Sequence, residues 1–356
     1  MAAPKFSKPS NSFHSELKSR INAYFTEAGK SPNGNYKLYT KAVILWVSLV
    51  LVYVHLLFFT PVAWVAIIES IILGGLTASI GFNVMHDGSH GSFSKYKWLN
   101  ELAGLSINVL GANVFMWNTK HNVIHHAYTN IDGIDDDLDA KPLLRLCETQ
   151  KHYKIHRFQH WYFWAAYATL YLYWVFFTDY NKYFTKRVGS MPLKPMKLNN
   201  HLVFWSFKAL HAVLFVGLPI FMVGFLPWLI GFLIYSFATG FVMSIVFQLA
   251  HTVEDTQFLA ASETAVKVED EWAVHQLKTT ANFATNNKII SWLVGGLNFQ
   301  IEHHLFPKVS HIHYPAISKI IKQACADYGI NYIEYPKMRM AVASHVSHLR
   351  QLAKPQ

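Results

Sequence analysis

Four long apolar runs, grouped in two pairs, dominate the polarity pattern of this chain. AVILWVSLVLVYVHLLFF (42–59) is separated by only Thr60-Pro61 from VAWVAIIESIILGGLTASIGF (62–82). The second pair is LVFWSFKALHAVLFVGLPIFMVGF (202–225) and PWLIGFLIYSFATGFVMSIVFQLA (227–250). Each run approaches the ~20 residues that a helix needs to cross a ~30 Å hydrocarbon core. The connections within each pair allow only antiparallel hairpins. The pattern predicts an all-α membrane protein with four transmembrane helices in two hairpins. Lys208 and His211, inside the third run, should either snorkel or face the bundle.

A fifth apolar stretch, WYFWAAYATLYLYWVFF (161–177), is ambiguous by hydropathy. It is rich in Tyr and Trp, which favour the membrane interface. A fifth span would also put histidine-rich segments that flank it on opposite membrane faces. It is therefore expected to lie along the surface. The chain then divides into an N-terminal arm (1–41) holding a weakly amphipathic helix near 14–29, a membrane domain (42–320) and a C-terminal tail (321–356).

Charge adds orientation. Lys5, Lys8, Lys18, Arg20, Lys30, Lys37 and Lys41 precede the first run, and Lys182, Lys186, Arg187, Lys194 and Lys197 lie between the hairpins. The tight turns carry no Lys or Arg. Positive-inside bias places both termini and the loops beside them in the cytoplasm. The N-terminus reads as polar, without a signal peptide. Composition agrees with a bilayer: 52% hydrophobic and only 15% charged, against roughly 25% charged in soluble domains. The net charge of +10 accompanies no phosphate loop, zinc-finger spacing or long basic run, so nucleic acid is not an expected partner. Cys147 and Cys325 form no paired motif.

The candidate chemistry is histidine. HDGSH (86–90) and HNVIHH (121–126) place His86 with His90, and His121 with His125, four residues apart, with His126 adjacent. On an α-helix that spacing puts both rings on one face. QIEHH (300–304) supplies His303 and His304 after Gln300, and His251 stands where the fourth run ends. All lie at the cytoplasmic mouth. Imidazole suits Zn, Cu, Fe and Ni. Eight candidates exceed what one zinc uses, and the clusters hold too few carboxylates for a carboxylate-bridged di-iron bundle. A nitrogen-rich two-iron centre remains. Candidates to orient its rings are Asp87, Glu254, Asp255, Glu302, Asp135 and Asp136. The run DGIDDDLDA (132–140) lacks calcium-loop spacing. The other histidines, among them His156, His211, His275, His311, His345 and His348, read as interfacial. Asn113, Phe115 and Trp117 either line a tunnel mouth or pack at the interface.

HxxxH, HxxxHH and QxxHH on a four-span chain, with WNTKHNVIHHAYTNIDGIDDDLD and NFQIEHHLFP, resemble the membrane fatty acid desaturases over about residues 40–320. The Gln resembles the front-end, linoleoyl-CoA (Δ6) branch. The resemblance implies two irons held by His86, His90, His121, His125, His126, His251, His303 and His304, with Gln300 where other branches have His. Acyl-CoA-type members use an Asn one turn before the lone histidine, where Phe247 stands here beside Gln248. The sequence contains no HPGG motif of a fused cytochrome b5, so a separate donor, such as ferredoxin or cytochrome b5, is expected. The implied reaction uses O2 to insert a cis double bond at Δ6 or Δ5 of an unsaturated C18 or C20 chain, carried by CoA, carrier protein or lipid. The implied location is the inner membrane of a bacterium or the endoplasmic reticulum of a eukaryote. A di-iron hydroxylase of the same superfamily and, more remotely, a zinc-dependent lipid amide hydrolase are the alternatives. Gln300 either ligates one iron or orients a neighbouring ring.

Overall fold

The computed structural model describes residues 4–9, 12–261 and 267–354. The ends of the expected arm (1–3) and tail (355–356) lie outside the described residues. Among those described, four helices are long and apolar enough to cross a membrane: Tyr36–Phe59, Ala63–His90, Leu198–Val223 and Phe225–His251. They match the four apolar runs but extend further at the ends nearest the histidines. The first starts at Tyr36, where the Asn35 side chain accepts a hydrogen bond from the backbone N–H of Lys37. The second continues through HDGSH and stops at Gly91, whose φ of 75° lies in the left-handed region.

The second and fourth spans pack most intimately. A Cβ on Gly74 would stand 2.6 Å from the carbonyl oxygen of Tyr235, so only glycine permits this approach. Val43, Val47, Leu51, Ile67, Ile68 and Ile71 face outward and are exposed, as contact with lipid requires. Lys208 turns inward. Its Nζ donates to the carbonyls of Gly111 at 2.7 Å and Val175 at 2.8 Å and pairs with Asp179 at 3.1 Å.

The 161–177 stretch is helical in pieces, Gln159–Ala168 and Leu170–Tyr173, followed by a π-helical turn, Trp174–Thr178. It is not among the four long apolar helices. Phe163, Tyr167, Tyr171 and Val175 recur every four residues and are buried. Ser244 Oγ of the fourth span donates to the Tyr167 carbonyl at 3.1 Å, and the hydroxyls of Tyr171 and Tyr235 meet at 3.0 Å. Trp161, Tyr173 and Phe177 project outward. Similar π turns occur at His55–Phe59, Gly81–Met85, Thr119–His125 and Val213–Gly217.

A helical cap closes the bundle over the histidine segments. Helix Phe13–Glu27 buries Phe13, Leu17, Ile21 and Phe25 in one cluster with Ile317 and Ile321 of helix Tyr314–Asp327. Arg20 and Asp327 join the two at 2.6 Å. The arm is thus part of the cap. The boundary expected at residue 320 falls inside the second of these helices, and helix Met338–Leu352 buries Ala341, His345 and Leu349. Departures from all-α structure are short strand pairs, such as Asn282–Phe283 with Glu334–Tyr335.

Candidate metal centre

Each histidine segment reaches the centre on a different kind of helix end. His86 and His90 occupy one α-turn after the π turn Gly81–Met85. His121 and His125 lie within a π-helix, Thr119–His125, rather than the α-helix that their spacing predicts. His303 and His304 sit on the short helix Gln300–Leu305, and His251 ends the fourth span.

The eight rings converge. One group comprises His86, His90, His121 and His303, another His125, His251 and His304, and a third joins His126 to His303 and His304; within each, the donor atoms lie within 4.8 Å of one another. The three rings of the second group stand 4.8, 4.9 and 4.8 Å apart, close to an equilateral triangle. His126 is 4.5 Å from both His303 and His304, between the two lobes. Trp117 stacks on His121 at 4.3 Å, and Phe247 lies 5.3 Å from His125 and 5.6 Å from His251.

The nitrogens fit a metal. His90 Nε2, His125 Nε2, His126 Nδ1, His251 Nε2, His303 Nε2 and His304 Nε2 are all buried without a protein partner. An orphaned buried polar atom is costly, and bound cations would satisfy the five Nε2 atoms here. Nε2 of His121 lies 3.2 Å from both His86 Nε2 and His126 Nε2. Two donors sharing a metal at about 2.1 Å stand roughly 3.0–3.4 Å apart. Burial holds His121, His126, His303 and His304 well below the ordinary histidine range. They are neutral, the form that binds metal. For His125, burial pulls downward but is more than offset by Asp135 and Asp137, so its pKa is raised.

Four rings spend the opposite nitrogen on the protein, leaving Nε2 free. His125 Nδ1 lies 3.0 Å from Asp135, His304 Nδ1 2.8 Å from Gln276 Oε1, His251 Nδ1 3.2 Å from the Thr279 carbonyl and His303 Nδ1 3.2 Å from the Tyr314 hydroxyl. Such partners fix tautomer and ring orientation.

Of the acidic residues expected in that role, Asp135 alone touches a ring of the cluster. Asp87 instead bonds Ser310 Oγ at 2.8 Å and His311 Nδ1 at 3.0 Å. Glu302 points away, to Asn282 at 2.7 Å and Tyr332 at 2.7 Å; burial pushes its carboxyl up to about 7. Asp255 bonds Tyr335, Glu254 bonds Ser347 and Gln351, and Asp136 pairs with Lys182. Adjacency in sequence misleads here because neighbouring side chains on a helix diverge. Gln276, Thr279 and Tyr314 escape sequence reasoning. The one available signal was a polar Gln276 between the buried Ala273 and Leu277 of a short helix.

Several histidines read as interfacial are buried instead. His156, His275 and His348 bond backbone carbonyls of Pro142, Thr129 and Leu146 at 2.8–2.9 Å, and His345 bonds Tyr167 and Thr252. The cap's irregular loops supply these acceptors. Trp117 walls the centre, whereas Asn113 caps helix Val114–Asn118 and Phe115 packs beside Met116. Gln300 is buried, its Nε2 without a protein partner, and Gln248 accepts from Thr252.

A two-lobed nest of imidazoles at the end of a four-helix membrane bundle defines the class: a membrane protein whose histidines are grouped as a nitrogen-built metal site requires. Comparison with known proteins narrows it. The family profile described as "Fatty acid desaturase" matches residues 61–336. The "sn-1 linoleoyl-lipid 6-desaturase" of Arthrospira platensis is 36% identical over 96% of this chain and 92% of its own length. The Synechocystis sp. protein of the same name is 35% identical, with 96% of each chain covered. The "Acyl-lipid (8-3)-desaturase" of Physcomitrium patens is 31% identical over 96% of this chain and 71% of its own length. The chain belongs to the fatty acid desaturase family. It is a membrane-bound, O2-dependent oxidoreductase that desaturates fatty acyl chains.

Proposed function

We propose that this desaturase is of the front-end type and inserts a cis bond at Δ6 of a linoleoyl chain carried on a membrane lipid. The observation that carries this is similarity over nearly the whole chain to two proteins named for that reaction. His86, His90, His121 and His303 would hold one iron and His125, His251 and His304 the second, with His126 between them; the converging unpaired nitrogens support this division. A mid-chain methylene has neither an acidic proton nor a leaving group, so acid–base groups cannot dehydrogenate it. Two irons with O2 supply an oxidant able to abstract hydrogen. The balance is –CH2–CH2– + O2 + 2 e⁻ + 2 H⁺ → –CH=CH– + 2 H2O, with the two electrons from a separate carrier protein. This chain's residues hold the metals, wall the site with Trp117 and Phe247, and keep water out. Both termini, the cap and residues 182–197 lie in the cytoplasm, and residues 161–177 run along the membrane surface.

The test is expression in a host fed linoleate, with the new bond located by mass spectrometry of lipid classes. The expected product carries its new bond at C6, in the lipid fraction. A new bond on the methyl side of the existing ones, or an added hydroxyl, overturns the assignment. Gln300→His should change turnover more than bond position, because Gln300 adjoins the metal ligands in sequence; a moved bond would refute that separation.

A further inference from the structure

Beyond the rings lies a set of charges that the reaction does not use directly. Three consecutive carboxylates, Asp135, Asp136 and Asp137, stand on the loop beside His125. Asp135 and Asp137 reach His125 Nδ1 at 3.0 and 3.4 Å. Crowding three anions into a poorly solvated loop is unfavourable unless cations answer them. Two lysines from separate elements do so. Lys120 sets its Nζ 2.5 Å from Asp137 and 3.9 Å from Asp136. Lys182, buried on helix Asp179–Thr185, stands 3.2 Å from Asp136. The same helix carries Asp179, held at 3.1 Å by Lys208 of the third span. The third span contributes no histidine to the centre, yet it is keyed to His125 through these pairs.

We infer that Lys182 and Lys120 are positioning residues for His125. They divide the carboxylates so that Asp135 holds the ring at 3.0 Å, Asp136 is drawn away from it, and Asp137, tied to Lys120, is kept to a longer contact of 3.4 Å. Without Lys182, Asp136 turns to Lys120, Asp137 is loosened from Lys120 and closes its 3.4 Å contact in competition with Asp135, and His125 is no longer held in one orientation. This rests on the metal reading above. The experiment therefore uses the full-length protein in detergent, loaded with Co²⁺, whose visible d–d absorption reports ligand geometry. Measured are Co²⁺ per chain, the d–d spectrum, and the rate of Co²⁺ extraction by EDTA.

Lys182→Met should shift the spectrum and raise extraction by up to about tenfold, the smallest loss typical of removing a group bonded directly to a metal-bound histidine and so a ceiling for one that acts through Asp136. Lys182→Arg, which keeps the charge, should restore both. Asp136→Asn combined with Lys182→Met should return extraction to within about threefold of wild type, because the unpaired carboxylate goes with its lysine. Lys120→Met should act in the same direction as Lys182→Met. A wild type that takes up well under two Co²⁺ per chain sinks the metal reading and this inference with it. Full wild-type uptake with native spectra in both lysine variants overturns the inference alone. So does a double variant as impaired as the sum of its singles, or a lowered melting temperature with an unchanged spectrum.

Discussion

Replacing Asp135 with Asn isolates the carboxylate that orients His125 from the fold around it. Asp135 accepts four contacts: from His125 Nδ1 at 3.0 and 3.2 Å, from the Asn130 N–H at 3.0 Å, and from the Asp137 N–H at 3.1 Å. The amide is isosteric but offers one acceptor oxygen. With that oxygen facing Asn130 and the ring, the new NH2 opposes the Asp137 N–H. One buried donor is left unpaired, costing about 1–3 kcal/mol of stability. The ring loses its anionic partner, and losses of roughly 10–100-fold are typical for such a change; this is about 1.4–2.7 kcal/mol in the barrier. Asp135→Ala strands both backbone donors and should cost about 2–6 kcal/mol in folding. The assay compares kcat, iron per chain and melting temperature in one detergent. Asn should lose activity roughly 10–100-fold with a stability loss no larger than that of one unpaired donor, and Ala should lose both, with about twice the stability cost. An Asn variant that turns over within twofold of wild type with full iron would refute the argument.

His125→Ala or His304→Ala should abolish turnover and lower bound iron, because each removes a corner of the same three-ring group; full activity in either breaks the ligand assignment. Cysteine labelling of residues 182–197 should place them on the cytoplasmic side, and labelling only from the opposite side would overturn the four-span topology. Chelation of iron should abolish activity, with recovery on adding Fe²⁺ but not Zn²⁺. Glu302→Gln should raise the melting temperature at pH 8, with the gain shrinking toward pH 5. The folded carboxyl, at about 7 against an ordinary 4.5, binds its proton more tightly than the unfolded one. Wild-type stability therefore falls as pH rises between those values, by at most about 3 kcal/mol. A Gln variant no more stable at pH 8 than at pH 5 would contradict this.

The spans and box histidines were legible because they depend on short-range pattern: runs of apolar residues, and rings one, four or five positions apart. What orients those rings was not. Gln276 meets His304 across 28 residues and Tyr314 meets His303 across 11, and nothing local distinguishes either from other buried polar groups. The acidic residues adjacent to the histidines were plausible by proximity, yet Glu302 turns to Asn282 and Tyr332 rather than to the histidine rings. The ends of the chain read as an arm and a tail because they lack long apolar runs. Their amphipathic helices instead build the cap, burying Leu17 against Ile317.

The π-helix at Thr119–His125 has an effect on residue counting. An α-turn of 3.6 residues carries position i+4 about 40° past position i. A π-turn of roughly 4.4 residues leaves it about 30° short. His86 and His90, on the α-turn, share one four-ring group, whereas His121 and His125, equally spaced in sequence, meet each other beside Asp137 and each also joins a different group of rings. The wider turn thus shares one motif between the two groups of rings. The centre depends on helix length as much as on side-chain identity.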